Sequence, residues 1–334
     1  MAQPPAFLSD LLQRLNGIRG WFSTPAGRRF TAIGSIAMSV VILALLFNAV
    51  QRIGVQQLID VLPLSPGFWL LYLAAYFLHP IVDWQIFRHW WYLGWRTISV
   101  FLKRRVMNEA MFSYAGDAFL MAWSATHFKL KFNPDDVSTP KVGRGDGPGA
   151  HPIDAPLAAI KDVAITSGLA GNLFTLIMLI FAILFGGDAI MNTKVDLDTV
   201  RRIIIGFALL LIVSFGIVFN RNKVLSLTVA ANMRAFWFHL FRVSAMHFLL
   251  VASWYVALPE VGIGTWLILG ALRLVIMRMP VPNKEILFAA LAADLTGEAS
   301  VEVAALMAAQ GVLWLACHGL AWVIALIIDK SEPA

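Results

Sequence analysis

The chain has 334 residues, enough for two ordinary soluble domains, yet only 14% are Asp, Glu, Lys or Arg and 59% are apolar, whereas a soluble domain carries about 25% charged residues. With a mean hydropathy of +0.74 there is too little polar surface to cover a globule in water, which excludes a soluble enzyme, a disordered chain and a disulfide-stapled secreted scaffold. The single cysteine, Cys317, sits in an apolar run and rules out an internal disulfide or a Cys-based metal cage. The net charge of +6 is, on a membrane protein, first a matter of orientation.

The amino-terminal arm, residues 1–30, carries Arg14, Arg19, Arg28 and Arg29 against Asp10. A bilayer core of about 30 Å needs roughly 20 apolar residues of helix, and residues 31–50 are the first such run. No small-residue cleavage pattern follows it, so it reads as a retained anchor. Runs at 67–82, 166–187, 203–219, 244–258, 262–277 (holding Arg273) and 303–328 complete a set of seven. Two further hydrophobic stretches are too polar for lipid-facing helices: 106–127, with Glu109 and Asp117, and 281–297, with Lys284, Glu285 and Asp294. The expected fold is therefore all-α, a polytopic helical membrane protein with about seven spans and two broken or re-entrant segments, in one transmembrane domain over 31–330.

Basic residues collect in cytoplasmic loops. The arm, the segment after the second run (Arg88, Arg96, Lys103, Arg104, Arg105) and the segment before the fifth (Arg221, Lys223, Arg234, Arg242) are expected in the cytoplasm, with 51–65 and 188–200 outside. That vote is consistent only if 106–127 enters and returns on the cytoplasmic side, with Gly116 near its tip. Irregular backbone at membrane depth needs protein or a wet cavity around it, so a functional cavity is expected beside it. Residues 133–156 hold five prolines and four glycines, the composition of a flexible cytoplasmic linker. A P-loop is not expected there, for want of a preceding strand and a following Lys-Ser or Lys-Thr.

Residues 222–243 place Met233, Phe236, Trp237, Leu240 and Phe241 on one stripe, with Arg234, His239 and Arg242 towards another side, the pattern of a helix lying in the interface. Phe87, Trp90, Trp91, Tyr92 and Trp95 read as an aromatic belt. Arg88, Arg96, Lys103, Arg104 and Arg105 read as bases at phosphate level, serving either as anchors or as an access site for a lipid headgroup.

Ionisable groups inside spans mark a pathway, a pair or a cavity. His79 and Asp83, four residues apart, share a helical face as a proton relay, a cation site or an interfacial cap. Asn108-Glu109, Phe112 and Asp117 are echoed by Asn283, Glu285, Phe288 and Asp294, and paired interrupted segments point to a transporter's binding site. Arg273 lies too deep to snorkel easily and needs a ligand phosphate or a carboxylate such as Glu285 or Asp294. His247 and His318 read as hydrogen-bonded core histidines. Spacing assembles no nucleophile with a base and orienter, and no metal motif, so transport is expected rather than chemistry, with no cofactor, no metal and no nucleic-acid partner.

The arrangement resembles the lysylphosphatidylglycerol synthase-type transmembrane family, a flippase-like integral membrane domain. The resemblance is carried by Arg88-His89-Trp90-Trp91, by Asn108-Glu109 with Tyr114-Ala115-Gly116-Asp117, and above all by Arg278-Met279-Pro280-Val281-Pro282-Asn283-Lys284-Glu285. Asn283-Lys284 stands where the family favours glycines; Glu285 is the residue carried over most directly. The resemblance implies movement of a phospholipid, or of a polyprenyl- or hopanoid-type lipid, between leaflets of a bacterial inner membrane, without the aminoacyl transfer that full-length synthases perform in a soluble domain. Two other readings stand beside it: a membrane-embedded transferase acting on a lipid phosphate, and a non-catalytic subunit whose 133–156 loop docks a soluble or membrane enzyme.

Overall fold

A computed structural model describes residues 63–110, 114–128, 156–191, 197–278 and 300–330, with positions 40, 288, 291, 292, 295, 296 and 299 besides. The described residues are helical and form no β-strand: α1 (Pro66–Trp91), α2 (Ile98–Ala110), α3 (Ala115–His127), α4 (Pro156–Met191), α5 (Leu197–Phe219), α6 (Arg221–Val224), α7 (Val229–Ala257), α8 (Ile263–Arg278) and α9 (Ser300–Lys330). Six of the seven apolar runs fall on these helices; the arm, the run 31–50 save Val40, and the linker before Pro156 lie outside the described residues. Four helices are long and apolar enough to cross a bilayer, Pro66–Trp91, Pro156–Phe185, Val229–Ala257 and Val301–Lys330, and Ile205–Phe219 is a shorter apolar helix. Among the described residues, then, four of the expected seven spans meet the requirement, in a protein whose helices suit a membrane.

Two boundaries differ from the sequence expectation for the same physical reason. The second run stops at Asp83, but α1 continues to Trp91; the expected interfacial helix over 222–243 and the run 244–258 are joined, because α7 is continuous from Val229 to Ala257. In both helices the interrupting charges face protein. Asp83, His239 and Arg242 are buried, whereas Met233, Trp237 and Phe241 are exposed. Of the polar side of α7, His239 and Arg242 thus point inward and Arg234 stays exposed, while the apolar stripe at Met233, Trp237 and Phe241 points outward, unlike a helix floating on the interface. Phe87, Trp90 and Trp91 likewise belong to the core, leaving Tyr92 and Trp95 of the expected belt at the surface.

The segment expected to turn back is two helices. The first, α2, begins eight residues before Val106 and so includes Lys103, Arg104 and Arg105. Tyr114, in the left-handed region at φ 73°, precedes α3. The start of α2 is tied to the C-terminal end of α1, where Trp84 Nε1 donates to Thr97 Oγ1 at 3.1 Å, and α3 returns to that end, with Phe128 against Trp91 at 5.2 Å between rings. The hairpin therefore starts and finishes at one end of the bundle. Its helices touch at Gly116, where a Cβ would fall on the Arg104 carbonyl, 2.7 Å from its carbon; glycine is what permits this approach. Asn108 secures the turn by accepting the Gly116 N–H at 2.7 Å and the Asp117 N–H at 3.3 Å, which satisfies donors that a helix start leaves open.

Around this hairpin, α1 packs on α7, α7 on α4, α4 on α8, and α9 on α2. The largest apolar cluster joins Phe68, Tyr72, Trp254, Trp266 and Leu269 to Leu306, Leu313 and Trp322. Beside the α5–α7 connection, Asp162 of α4 is buried and accepts the backbone N–H groups of Ser226 and Leu227, each at 2.8 Å.

Candidate functional site

Pro80 lies inside α1. A proline has no N–H for the carbonyl four residues back, so the Tyr76 carbonyl is released from the helix ladder. Arg105 fills the vacancy, with Nη1 donating to Tyr76 O at 2.9 Å. The same guanidinium lies over the Tyr76 ring at 4.2 Å and the Trp314 ring at 5.2 Å, and its Nη2 is 3.3 Å from Glu109 Oε1. Glu109 Oε2 in turn accepts from Trp314 Nε1 at 2.7 Å and lies 3.4 Å from His318 Nε2. His318 Nδ1 is 2.6 Å from the Tyr76 hydroxyl. One backbone gap in α1 is thereby wired through α2 to α9.

A second network lies towards the C-terminal end of α1. Asp83 Oδ2 accepts from Arg104 Nη1 at 2.6 Å and has His79 Nε2 at 3.4 Å, while Asp83 Oδ1 accepts from Arg242 Nη1. Arg104 also holds Asp117 through Nε at 2.8 Å and Nη2 at 2.6 Å, and Arg242 Nη2 donates to Ser167 Oγ at 2.7 Å. Four helices, α1, α2, α3 and α7, meet through these side chains, and α4 joins through Ser167. A buried charge is tolerated when paired and hydrogen-bonded, and here two carboxylates face two guanidinia.

Two cavities adjoin these networks. One, of about 370 Å³, is lined by Glu109, Arg273, Met277, Gln310, Trp314 and His318 among others. The second, of about 220 Å³, is lined by His79, Arg242, His247, Arg273 and Trp314 with apolar neighbours. Arg273 and Trp314 form a wall common to both. Of the residues singled out in the sequence, the fold brings Glu109 and Arg273 to one cavity, sets His79 in the other, and ties Asp117 to Arg104 and Asp83. Glu285 and Asp294 lie outside the described residues, as does Lys284.

The five bases expected at headgroup level divide. Arg88 is exposed, over the Trp84 ring at 4.6 Å, and Arg96 is half-buried, over Trp95 at 5.7 Å. Lys103 pairs with Asp329. Arg104 and Arg105 are buried and point into the bundle. Sequence reasoning also missed groups. In the sequence Arg242 and His239 read as part of an interfacial helix, and no local motif marks Asn172, Thr175 or Ser214. Arg278 Nη1 donates to Asn172 Oδ1 at 2.7 Å and its Nε to Thr175 Oγ1 at 2.7 Å, while Asn172 Nδ2 donates to Ser214 Oγ at 2.8 Å. The available signal was that Asn172, Thr175 and Ser214 are polar residues inside the runs 166–187 and 203–219, where a polar group needs a partner. Among the described residues no group of three or more His, Cys, Asp or Glu side chains is placed to hold a metal ion.

No protein-family profile, curated protein or solved structure matches the chain.

Proposed function

We propose that this protein moves a lipid or lipid-linked headgroup between the leaflets of a membrane, as the resemblance to the lysylphosphatidylglycerol synthase-type transmembrane family implies, and that it transports without chemistry on the lipid. The carrying observation is that Glu109 and Arg273, charges of opposite sign in segments flanked by apolar helix, line one cavity of about 370 Å³, and that Arg273 also lines its neighbour of about 220 Å³. A guanidinium fork suits a phosphate, and a carboxylate suits the cationic or hydroxyl-bearing part of a headgroup. Arg242 and Arg273 give the second cavity two guanidinium groups past which the phosphate moves. Asp117, through Arg104 and Asp83, holds the walls in place.

In this reading the C-terminal end of α1 is cytoplasmic, as the bases from Arg88 to Arg105 favour, and the α2–α3 hairpin is a re-entrant element. The protein sits in a bacterial inner membrane with its amino terminus in the cytoplasm. Glu285 and Asp294 complete the site on the strength of the sequence echo and the resemblance.

The test is translocation of a fluorescent phospholipid in proteoliposomes by Arg273→Ala and Glu109→Gln variants matched for reconstitution. Loss of one charge-assisted contact, about 1.5–3 kcal/mol, lowers the rate roughly tenfold or more if that contact forms while the headgroup crosses. Rates equal to wild type for both variants would overturn the assignment.

A further inference from the structure

A third cavity lies away from the polar site. A cleft of about 470 Å³ opens between α4, α5 and α7, lined by Leu169, Leu173, Leu176, Leu211, Phe215 and Val218 along its length and by Arg221, Asn222 and Asn232 where α5 passes into α7. It shares no lining residue with either polar cavity. The outer flank of α5 is apolar and exposed at Leu209, Ile212, Val213, Phe215, Val218 and Phe219, so the cleft faces the position of the bilayer's hydrocarbon. Its volume is in the range of small-molecule sites, roughly 300–1,000 Å³.

We infer that this cleft holds one anionic phospholipid as a resident ligand, with an acyl chain between α4 and α5 and its phosphate at Arg221. Three observations carry the assignment. Along the cleft the polar atoms are already paired with one another: Asn172 spans Arg278 and Ser214, and Ser214 donates to the Leu210 carbonyl at 2.8 Å. That stretch therefore accepts a hydrocarbon chain without leaving hydrogen bonds unmade. At the mouth Arg221 is exposed, with exposed Lys223 two residues on; the nearby buried carboxylate, Asp162, accepts two backbone N–H groups and Asn232 at Oδ2, while its Oδ1 makes no hydrogen bond and lies 3.4 Å from Lys161 Nζ. The mouth is thus a net positive site that a phosphate would complement. Asn232, buried and lining the cleft, donates through Nδ2 to Asp162 and to the Leu227 carbonyl but keeps Oδ1 without a partner, an acceptor that a headgroup hydroxyl would satisfy. Phosphatidylglycerol supplies the phosphate and the hydroxyl together.

The purified full-length protein, stripped of lipid in detergent and supplied with phosphatidylglycerol or with phosphatidylcholine of the same chains, is weighed by native mass spectrometry. Both lipids offer Arg221 the same phosphate, but only phosphatidylglycerol brings a hydroxyl for Asn232 Oδ1 and no choline cation into a positive mouth, so it is expected to be retained roughly tenfold better. Arg221→Gln, which removes the phosphate contact, should lower retention of both lipids roughly tenfold, and Val218→Trp or Leu173→Trp, which fill the cleft from exposed positions, should remove both lipids while leaving the thermal unfolding midpoint in place. Equal retention of the two lipids, or no effect of Arg221→Gln, would overturn the headgroup assignment; undiminished retention by both tryptophan variants would overturn the cleft. Because retention is read without translocation, the inference stands or falls separately from the transport function.

Discussion

The bond between Arg105 and the backbone of α1 makes a quantitative prediction. Pro80 denies the Tyr76 carbonyl its usual partner, and Arg105 Nη1 supplies one at 2.9 Å. Replacing Arg105 with Met in the native background removes that bond, the pairing with Glu109 and two ring contacts, and leaves a buried carbonyl unsatisfied, for which about 1–3 kcal/mol is the expected penalty. In a Pro80→Ala background the restored N–H closes the helical bond to Tyr76, so Arg105→Met no longer orphans the carbonyl. The losses at Glu109 and at the rings are common to both backgrounds and cancel in a double-mutant cycle. The expected coupling is therefore about 1–3 kcal/mol, with Arg105→Met milder when residue 80 is alanine. Unfolding in mixed detergent and SDS micelles, followed by the fluorescence of the 12 tryptophans, measures all four proteins. A coupling within about 0.5 kcal/mol of zero, the scatter of independent sites, would refute the view that Arg105 repairs the proline gap.

Further outcomes follow from the same contacts. Asp83→Asn leaves Arg242 without its buried carboxylate, and removal of one member of a buried pair costs about 3–5 kcal/mol; in the same unfolding assay Arg242→Leu on top of Asp83→Asn should recover part of that loss. Gly116→Ala must push α3 off the Arg104 carbonyl, and overpacking of this kind costs about 1–3 kcal/mol; its readout is a lower unfolding midpoint, and an unchanged midpoint would mean that α2 and α3 are not held in contact there. Orientation is checked with cysteines in a Cys317→Ser background: Lys194→Cys should react with an impermeant thiol reagent in intact cells, and Arg144→Cys only after lysis.

The sequence made the helices legible and the burial pattern only partly so. Runs 166–187, 203–219, 262–277 and 303–328 each lie on a helix because their apolar stretch is unbroken or nearly so. Asp83 reads as the end of a span and Arg242 as a base on an interfacial helix because a charge in lipid is costly, yet each is neutralised by the other across 159 residues of chain, a pairing no local pattern contains. The turn of the hairpin was readable from loop charges alone, because the positive-inside rule constrains parity. Its starting point at Ile98 was not, since Lys103 to Arg105 look like a solvated loop until Asp83, Glu109 and Asp329 are set beside them. Asn108 illustrates a role hidden by chemistry of the right type: it reads as part of a binding motif and acts as the cap that holds the turn.

The buried charges also divide by how firmly they are held. Three carboxylates, Asp83, Asp117 and Glu109, meet three guanidinia, Arg104, Arg105 and Arg242, and the set is paired internally. The Asp83 side chain is 5% exposed and bound by two arginines, so its loss acts on the bundle as a whole. Glu109, 31% exposed, lines a cavity and is held by one arginine at 3.3 Å, a tryptophan N–H and a histidine. A passing headgroup can compete for Glu109 without dismantling the α1–α2–α7 junction, whereas competition at Asp83 would cost the fold several kcal/mol. Glu109→Gln should therefore slow translocation while lowering the unfolding midpoint less than Asp83→Asn does, since Arg105 keeps its bond to the Tyr76 carbonyl and its two ring contacts, and Asp83→Asn should do the reverse per molecule that remains folded. A Glu109→Gln protein that unfolds as easily as Asp83→Asn would mean that both networks are one structural clamp and that the headgroup path lies elsewhere.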